Sequence, residues 1–171
     1  SGNHIWQKPE IFPYMEEHEN IIRPANFPPG APGHGYCTVE KKNVKLAVIN
    51  LQGRENMVSI DCPFRTVKDI LKKVRKETPL VFVDFHAETP TEKEALACYL
   101  DGQVSVVAGT HTHIQTADAR ILPGGTAAIT DTGMTGADAS ILGRARPDVL
   151  KKFSSGMPCR LPVVESGIIR L

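Results

Sequence analysis

The stretch "PLVFVDFH", residues 79–86, is a short apolar run rich in β-branched and aromatic residues. Such a run, bounded by Pro79, is typical of a strand that is buried in a sheet. His86 stands at its end, so the sequence predicts this histidine where the strand leaves the sheet. The stretch therefore indicates a central strand and a candidate site residue together.

The segments around this stretch alternate between strand and helix patterns. Two further apolar runs, 44–51 and 104–109, are predicted strands. Residues 64–77 have apolar side chains at helical spacing, and residues 89–102 are predicted to begin a helix with a capping box at Thr91. This alternation predicts the α/β class, with a mostly parallel sheet covered by helices.

The two ends of the chain differ from this central part. "RPANFPPGAPGHG", residues 23–35, contains four prolines and three glycines and is predicted to form a long loop. The tail has three strand-like segments, "TAAIT", "CRLPVV" and "GIIRL", and one short helical segment, "RPDVLKKF". A length of 171 residues favours a single domain.

Composition and charge argue against several function classes. Hydrophobic residues make up 41% of the chain and charged residues 23%, as in ordinary globular proteins. A net charge of +1 argues against broad nucleic-acid binding, and no apolar run reaches the roughly 20 residues that span a bilayer. The four cysteines are widely spaced and are interpreted as reduced and mostly buried, which favours the cytoplasm.

Two histidines follow the third predicted strand in "GTHTH", residues 109–113. If the backbone continues in extended form, His111 and His113 share a face, with Cα atoms roughly 6.5 Å apart. Each could then hold one of two neighbouring metal ions. A His-x-His sequence alone is more often a pair of surface histidines. His86 at another strand end favours a metal site, since the carboxyl ends of parallel strands meet at one edge.

A second candidate cluster is "GNH", residues 2–4. Asn3 offers a carbonyl oxygen to a metal, and His4 is a candidate proton donor. Glycine and asparagine are common in turns, so this tripeptide carries weight only together with the other histidines.

In this order, "GNH", "DFHAE" and "GTHTH" resemble the later motifs of the calcineurin-like metallophosphoesterases, which are Gly-Asn-His, a strand-terminal His and Gly-His-x-His. Thr110 departs from the last motif, which has glycine before its first histidine. The longer strings "RPANFP", "AVINLQGR", "GTHTHIQTAD", "ILPGGTA" and "TDTGMTG" are similar to the YmdB-like bacterial branch, which is associated with 2',3'-cyclic-nucleotide phosphodiesterase activity. This resemblance covers nearly the whole chain.

The resemblance implies an α/β/β/α sandwich with two mixed sheets flanked by helices. It implies two divalent or trivalent metal ions, Fe, Mn or Zn, one held by Asn3, His86 and His111 and the other by His113 among its ligands. The implied reaction is attack on a small phosphodiester, with a 2',3'-cyclic nucleotide favoured, by metal-activated hydroxide. His4 matches the residue that protonates the leaving oxygen.

Two earlier motifs of the family, a Gly-Asp and a Gly-Glu-Asn, supply acids that bind the first ion and bridge to the second. Neither motif occurs in the sequence. We therefore expect residues 1–171 to form one metallophosphoesterase domain that lacks its first strands and their metal-binding acids.

Carboxylates within the chain are candidates for a supporting role. Asp84, Glu88, Asp118 and Asp131 could hold the outer ring nitrogen of a metal-bound histidine, and Asp84 and Asp131 are favoured. Caps, turns and solvated loop charges are the alternative roles for these acids. Arg23 is a candidate for binding the non-reacting phosphate oxygens, although a surface salt bridge is more common for such an arginine.

The sequence leaves a second function class open, a regulatory or RNA-associated protein whose metal site is vestigial or structural. The balanced charge counts against wide nucleic-acid contact, since basic residues dominate such affinity. No membrane partner is predicted, and whether the chain forms homo-oligomers is left open.

Overall fold

The computed structural model describes residues 2–165 and 167–170. The helices of this part are α1 (Ile11–Glu17), α2 (Pro63–Val74), α3 (Pro90–Leu100) and α4 (Arg146–Ser155). Its strands are β1 (Tyr36–Lys41), β2 (Val44–Gln52), β3 (Val81–His86), β4 (Val106–Thr110), β5 (Arg120–Ile121), β6 (Ala127–Ile129), β7 (Gly136–Ala137), β8 (Ser140–Ile141), β9 (Arg144–Ala145) and β10 (Ile169–Arg170).

A six-stranded mixed sheet organises the chain, with the strand order β1-β2-β3-β4-β6-β5. Strands β2, β3, β4 and β6 are parallel to one another, whereas β1 and β5 pair antiparallel with β2 and β6 at the two edges. Parallel neighbours need crossover connections, and α2 and α3 supply the first two. The predicted α/β class, a mixed sheet flanked by helices, is confirmed.

The core lies between the sheet and the helices α2 and α3. Alternate residues of β2 and β3 are fully buried on this side, as expected from the two-residue period of a strand. They pack with the apolar faces of the two helices in one cluster, which includes Ile49, Leu51, Val83, Phe85, Val67, Leu71, Leu96 and Leu100. This packing fixes the strands so that β2, β3 and β4 end at a common edge.

Two helix starts differ from the sequence predictions. Helix α1 was not predicted, since it is only seven residues long, contains Pro13 and buries a single side chain, Met15. Helix α3 begins after Thr89, whose side chain accepts a hydrogen bond from the backbone N–H of Glu92. The predicted start at Thr91 is therefore wrong, because Pro90 can occupy the first helical position without losing a hydrogen bond.

The tail is less regular than predicted. Residues 127–129 form a strand and α4 matches the predicted helical segment, but "CRLPVV" contributes only a bridge between Val163 and Arg144. In the described part of the chain, the short strands outside the main sheet form two-stranded ladders, β7 with β10 and β8 with β9. The described residues thus contain one large mixed sheet of the two that the resemblance implies.

The cysteines are more exposed than predicted. Cys98 is exposed and the other three cysteines are half-buried, so the prediction that they are mostly buried is wrong. Among the described residues, no helix is both long enough and apolar enough to cross a membrane.

Candidate functional site

The common edge of β3 and β4 brings the first site residues together. His86 is the last residue of β3 and pairs in register with Thr110, the last residue of β4. The N-terminal turn places Asn3 against His86, with 3.1 Å between Asn3 Oδ1 and His86 Nε2. Gly2 touches the same ring, since a Cβ at this position would lie 2.2 Å from His86 Cε1. Only glycine lets the turn approach the ring so closely.

His111 completes this group from the segment after β4. Its Nδ1 lies 3.0 Å from Nε2 of His86, and the two rings meet edge to face with centroids 4.6 Å apart. Asn3 Oδ1 and His111 Nδ1 therefore both lie within about one hydrogen-bond length of His86 Nε2, and the three atoms converge. Each of these atoms can present a lone pair, so the arrangement needs either a hydrogen on one of the ring nitrogens or a cation among them.

The outer nitrogens of both histidines have oxygen partners. His86 Nδ1 lies 3.0 Å from Thr110 Oγ1, and that hydroxyl donates to Asp84 Oδ1 at 2.8 Å. His111 Nε2 lies 2.8 Å from Oε2 of Glu88. A carboxylate can only accept, so Glu88 holds the proton of His111 on Nε2 and leaves Nδ1 turned towards His86.

Burial, together with the neighbouring His111, lowers the pKa of His86 to about 4. His86 is thus neutral at physiological pH, which is the form in which an imidazole binds a metal. Burial also raises the pKa of Asp84, although hydrogen bonds from Thr110 and Asn50 oppose that effect.

Residues 110–113, here called the histidine segment, do not continue the strand. β4 ends at Thr110, and the backbone φ is +107° at His111 and +68° at His113. The prediction that this segment continues in extended form, with His111 and His113 on one face, is therefore wrong. Positive φ in non-glycine residues costs roughly 1–3 kcal/mol each and persists only where neighbouring structure enforces it, often at functional sites.

Asp131 is the residue that enforces this backbone. Its Oδ2 accepts from the backbone N–H and from the hydroxyl of Thr112, at 3.0 and 2.7 Å. The same oxygen lies 2.8 Å from Nζ of Lys93, and the side chains of Asp131 and Lys93 are 1% and 4% exposed. Burial alone would raise the pKa of Asp131, but the hydrogen bonds from Lys93 and Thr112 hold it below its usual range. Asp131 thus fixes the segment through Thr112 and contacts the backbone, not a histidine ring.

His113 lies outside the group formed by Asn3, His86 and His111. Its side chain is exposed and lines a cleft of about 730 Å³. The lining also includes residues of the segment 132–143, with apolar and hydroxylated side chains such as Met134 and Ser140. The cleft begins where the histidine segment ends, so a molecule bound there would lie beside the histidines.

His4 is exposed near the same group, and its charge contributes to lowering the pKa of His86. The side-chain nitrogen of Gln7 lies 2.6 Å from Nδ1 of His4. An amide nitrogen can only donate, so the ring proton of neutral His4 is on Nε2, which is the atom able to give a proton to a ligand.

Arg23 has a different environment from the one predicted. It is 8% exposed, and its guanidinium donates to the backbone carbonyls of Pro24, Ala25 and Ala31. Burial lowers its pKa. These bonds tie the proline-rich loop together, and phosphate binding by Arg23 stays a prediction.

Sequence reasoning missed Thr110, Thr112 and Lys93. The two threonines alternate with the two histidines, and each threonine hydroxyl is bonded to a different buried carboxylate, Asp84 or Asp131. The alternation in "THTH" could have suggested that its hydroxyls anchor the segment. Lys93 gave no such indication, because a lysine in the first turns of a helix is normally solvated.

The described residues bring three candidate metal donors together in one set. One amide oxygen and two imidazole nitrogens converge, a mixed set that suits Zn, Mn or Fe. Within residues 2–165 and 167–170, no three His, Cys, Asp or Glu side chains form a metal-holding group, and the third donor of the converging set is the amide of Asn3. The described residues do not bring His113 to a second such set.

Comparison with solved structures identifies the class of fold. The NAD nucleotidase of Haemophilus influenzae superimposes with a TM-score of 0.52 at 13% identity, over 77% of the chain and 33% of that protein. At this identity the likeness shows a shared α/β fold alone. A profile of the YmdB-like protein family matches residues 1–171, so the chain belongs to this family.

More similar proteins agree with this assignment. The 2',3'-cyclic-nucleotide 2'-phosphodiesterase of Bacillus subtilis is 51% identical over 98% of the chain and 66% of its own length. A structure from Thermus thermophilus has a TM-score of 0.87 at 41% identity, covering 96% of the chain and 64% of that protein. A phosphatase from Mycoplasma pneumoniae has a TM-score of 0.83 at 32% identity, covering 96% of the chain and 60% of that protein. The chain thus spans about three fifths to two thirds of the length of these relatives.

Proposed function

We propose that the chain is the histidine-bearing part of a metal-dependent phosphodiesterase that hydrolyses small phosphodiesters, with 2',3'-cyclic nucleotides as the favoured substrate. The observation that carries the proposal is the convergence of Asn3 Oδ1, His86 Nε2 and His111 Nδ1 at 3.0–3.1 Å. The phosphodiesterase named among the relatives of the same family supports the reaction class.

The proposed metal ligands are Asn3, His86 and His111 for one ion and His113 for a second. When bound, such ions would neutralise phosphate charge and lower the pKa of an attacking water. Glu88 and the Thr110–Asp84 pair orient the two inner histidines, which supports a ligand role for those rings.

We assign His4 the role of proton donor to the leaving sugar oxygen. Its exposure and the Gln7 contact at Nδ1 leave Nε2–H available to a ligand. Donation by a positioned histidine typically contributes about 10²–10⁴-fold to a rate.

The cleft beside His113 supports a nucleotide as substrate. Its volume of about 730 Å³ lies within the range of about 300–1,000 Å³ typical of small-molecule sites. A phosphate held at the histidines would direct its nucleoside part along the histidine segment and into this cleft. Apolar side chains of the segment 132–143 would then contact the base.

The experiment that tests the proposal compares hydrolysis by the full chain with Zn²⁺, with Mn²⁺ and after chelation, together with the metal content. We expect metal-dependent cleavage of 2',3'-cyclic nucleotides at higher kcat/KM than that of 3',5'-cyclic nucleotides or of bis(p-nitrophenyl) phosphate. A tightly held ion without turnover of any of these esters would contradict the proposal and favour the regulatory or RNA-associated alternative. The cytoplasmic location stays a prediction from the cysteine content.

A further inference from the structure

Arg54 follows strand β2 at the edge of the sheet where His86 ends β3. Gln52 pairs in register with His86, and the backbone N–H of Gly53 donates to the carbonyl of His86 at 2.9 Å. A Cβ at Gly53 would lie 2.6 Å from Cβ of Ala87, which belongs to the buried core. Since successive residues of an extended chain point to opposite faces, Arg54 is directed away from the core and towards the face that carries His86.

The turn that carries Arg54 is held by a carboxylate of α3. The backbone N–H groups of Arg54 and Glu55 donate to the side chain of Glu92, at 3.0 and 3.2 Å. Gly53 is required for this contact, because a Cβ there would lie 2.4 Å from Glu92 Oε2. The backbone of Arg54 is thus fixed, and the hydrogen bonds of Glu92 go to the backbone and not to the guanidinium.

The guanidinium of Arg54 is free in the described part of the chain. The side chain is exposed, and no described residue forms an ion pair or a side-chain hydrogen bond with it. Two acidic side chains of the adjoining loops have other partners, since Glu55 accepts from the hydroxyl of Thr89 and Glu88 contacts His111. A cation on a fixed backbone is therefore left available to an anion beside the histidines.

We infer that Arg54 is a substrate-binding residue whose guanidinium donates to non-bridging oxygens of a phosphate held at His86 and His111. The inference rests on the proposed function and deepens it, because it names the side chain that holds the ester. A planar guanidinium presents two N–H groups that match two phosphate oxygens. Arg23, the arginine predicted for this role, donates its N–H groups to backbone carbonyls.

The chain offers a matched set of variants. Arg54→Gln removes the charge, and Arg54→Lys keeps the charge without the paired N–H groups. Lys73→Gln removes an exposed charge at the far end of α2, where the hydroxyl of Thr78 donates to the carbonyl of Lys45 near the start of β2. This control therefore lies at the opposite edge of the sheet. The readouts are calorimetric titration of the full chain with inorganic phosphate, with and without Mn²⁺, and the kinetics of 2',3'-cyclic-nucleotide hydrolysis.

Arg54→Gln is expected to bind phosphate about 10–100-fold more weakly and to lower kcat/KM by a similar factor, the usual worth of a hydrogen bond to a charged group. Arg54→Lys should fall between Arg54→Gln and the wild type, and Lys73→Gln should match the wild type. Metal content should stay unchanged in all three variants, since none removes a proposed metal ligand. Phosphate affinity and kcat/KM in Arg54→Gln equal to those of Lys73→Gln would overturn the inference.

The two readouts separate this inference from the proposed function. If the wild type hydrolyses the cyclic nucleotide and Arg54→Gln does so with unchanged kcat/KM and phosphate affinity, the inference fails and the proposed function survives. If the wild type hydrolyses no ester but loses phosphate binding on Arg54→Gln substitution, the phosphate contact of Arg54 stands and the proposed function fails. A wild type that neither binds phosphate nor hydrolyses an ester contradicts both.

Discussion

Replacing His111 with alanine is expected to abolish tight metal binding and to lower kcat/KM for a 2',3'-cyclic nucleotide at least about 1,000-fold. The variant removes one of the three converging donors and leaves Asn3 and His86. A bound cation supplies several kcal/mol of charge stabilisation in phosphoryl transfer, and about 1.4 kcal/mol corresponds to a factor of ten. Metal content and steady-state kinetics measure both effects.

His34→Ala is the matched control for this prediction. His34 is exposed in the proline-rich loop and is not one of the converging donors, so its removal should leave metal content and hydrolysis unchanged. Urea unfolding of both variants separates loss of the ligand from loss of the fold. Full metal content and full activity in His111→Ala would contradict the assignment of His111 as a ligand.

Replacing Asp131 with asparagine is expected to cost about 3–5 kcal/mol of the free energy of unfolding. The change leaves the ammonium of Lys93 buried without its counter-charge, and removal of one partner from a buried pair typically has this cost. It also weakens the bonds that hold Thr112, so Zn²⁺ affinity should fall as well. Urea denaturation and chelator competition measure the two effects.

Two controls accompany Asp131→Asn. Asp69→Asn breaks the exposed Asp69–Lys72 pair on α2 and should hardly change stability, since both side chains are solvated. Adding Lys93→Met to Asp131→Asn should recover part of the loss, because no buried charge is left unpaired. A stability change in Asp131→Asn as small as that in Asp69→Asn would count against the structural role of the pair.

The lowered pKa of Asp131 also predicts a pH dependence. The carboxylate form is favoured by the fold, so its contribution is present above the unfolded pKa of about 3.9 and is lost as the pH falls through the lower folded value. As the pH is lowered, Asp131→Asn should therefore lose less of its free energy of unfolding than the wild type does.

The order of the central elements could be predicted from the sequence because each has a strong local pattern. The apolar runs that end at Leu51 and His86 predict buried strands, and the apolar spacing of residues 64–77 predicts a helix. The placement of His86 at a strand end followed from the same pattern. Local apolar periodicity was thus sufficient wherever a segment is buried along its whole length.

The shape of the histidine segment could not be predicted in the same way. The positive φ values at His111 and His113 accompany the contact of Thr112 with Asp131, which is 19 residues further along the chain and is brought there by the pairing of β4 with β6. Glu88 was read chiefly as a solvated loop charge, yet it makes the direct contact with a histidine ring. Side-chain partners across strands are tertiary information that a local pattern does not contain.

The most direct test of the central claim is anomalous scattering at the zinc edge from crystals of the full chain grown with Zn²⁺. We predict a peak within about 2.0–2.2 Å of Asn3 Oδ1, His86 Nε2 and His111 Nδ1, the distances of zinc to oxygen and nitrogen ligands. The contradicting result is a zinc-loaded crystal in which this position carries no peak and both imidazoles keep their contact with each other.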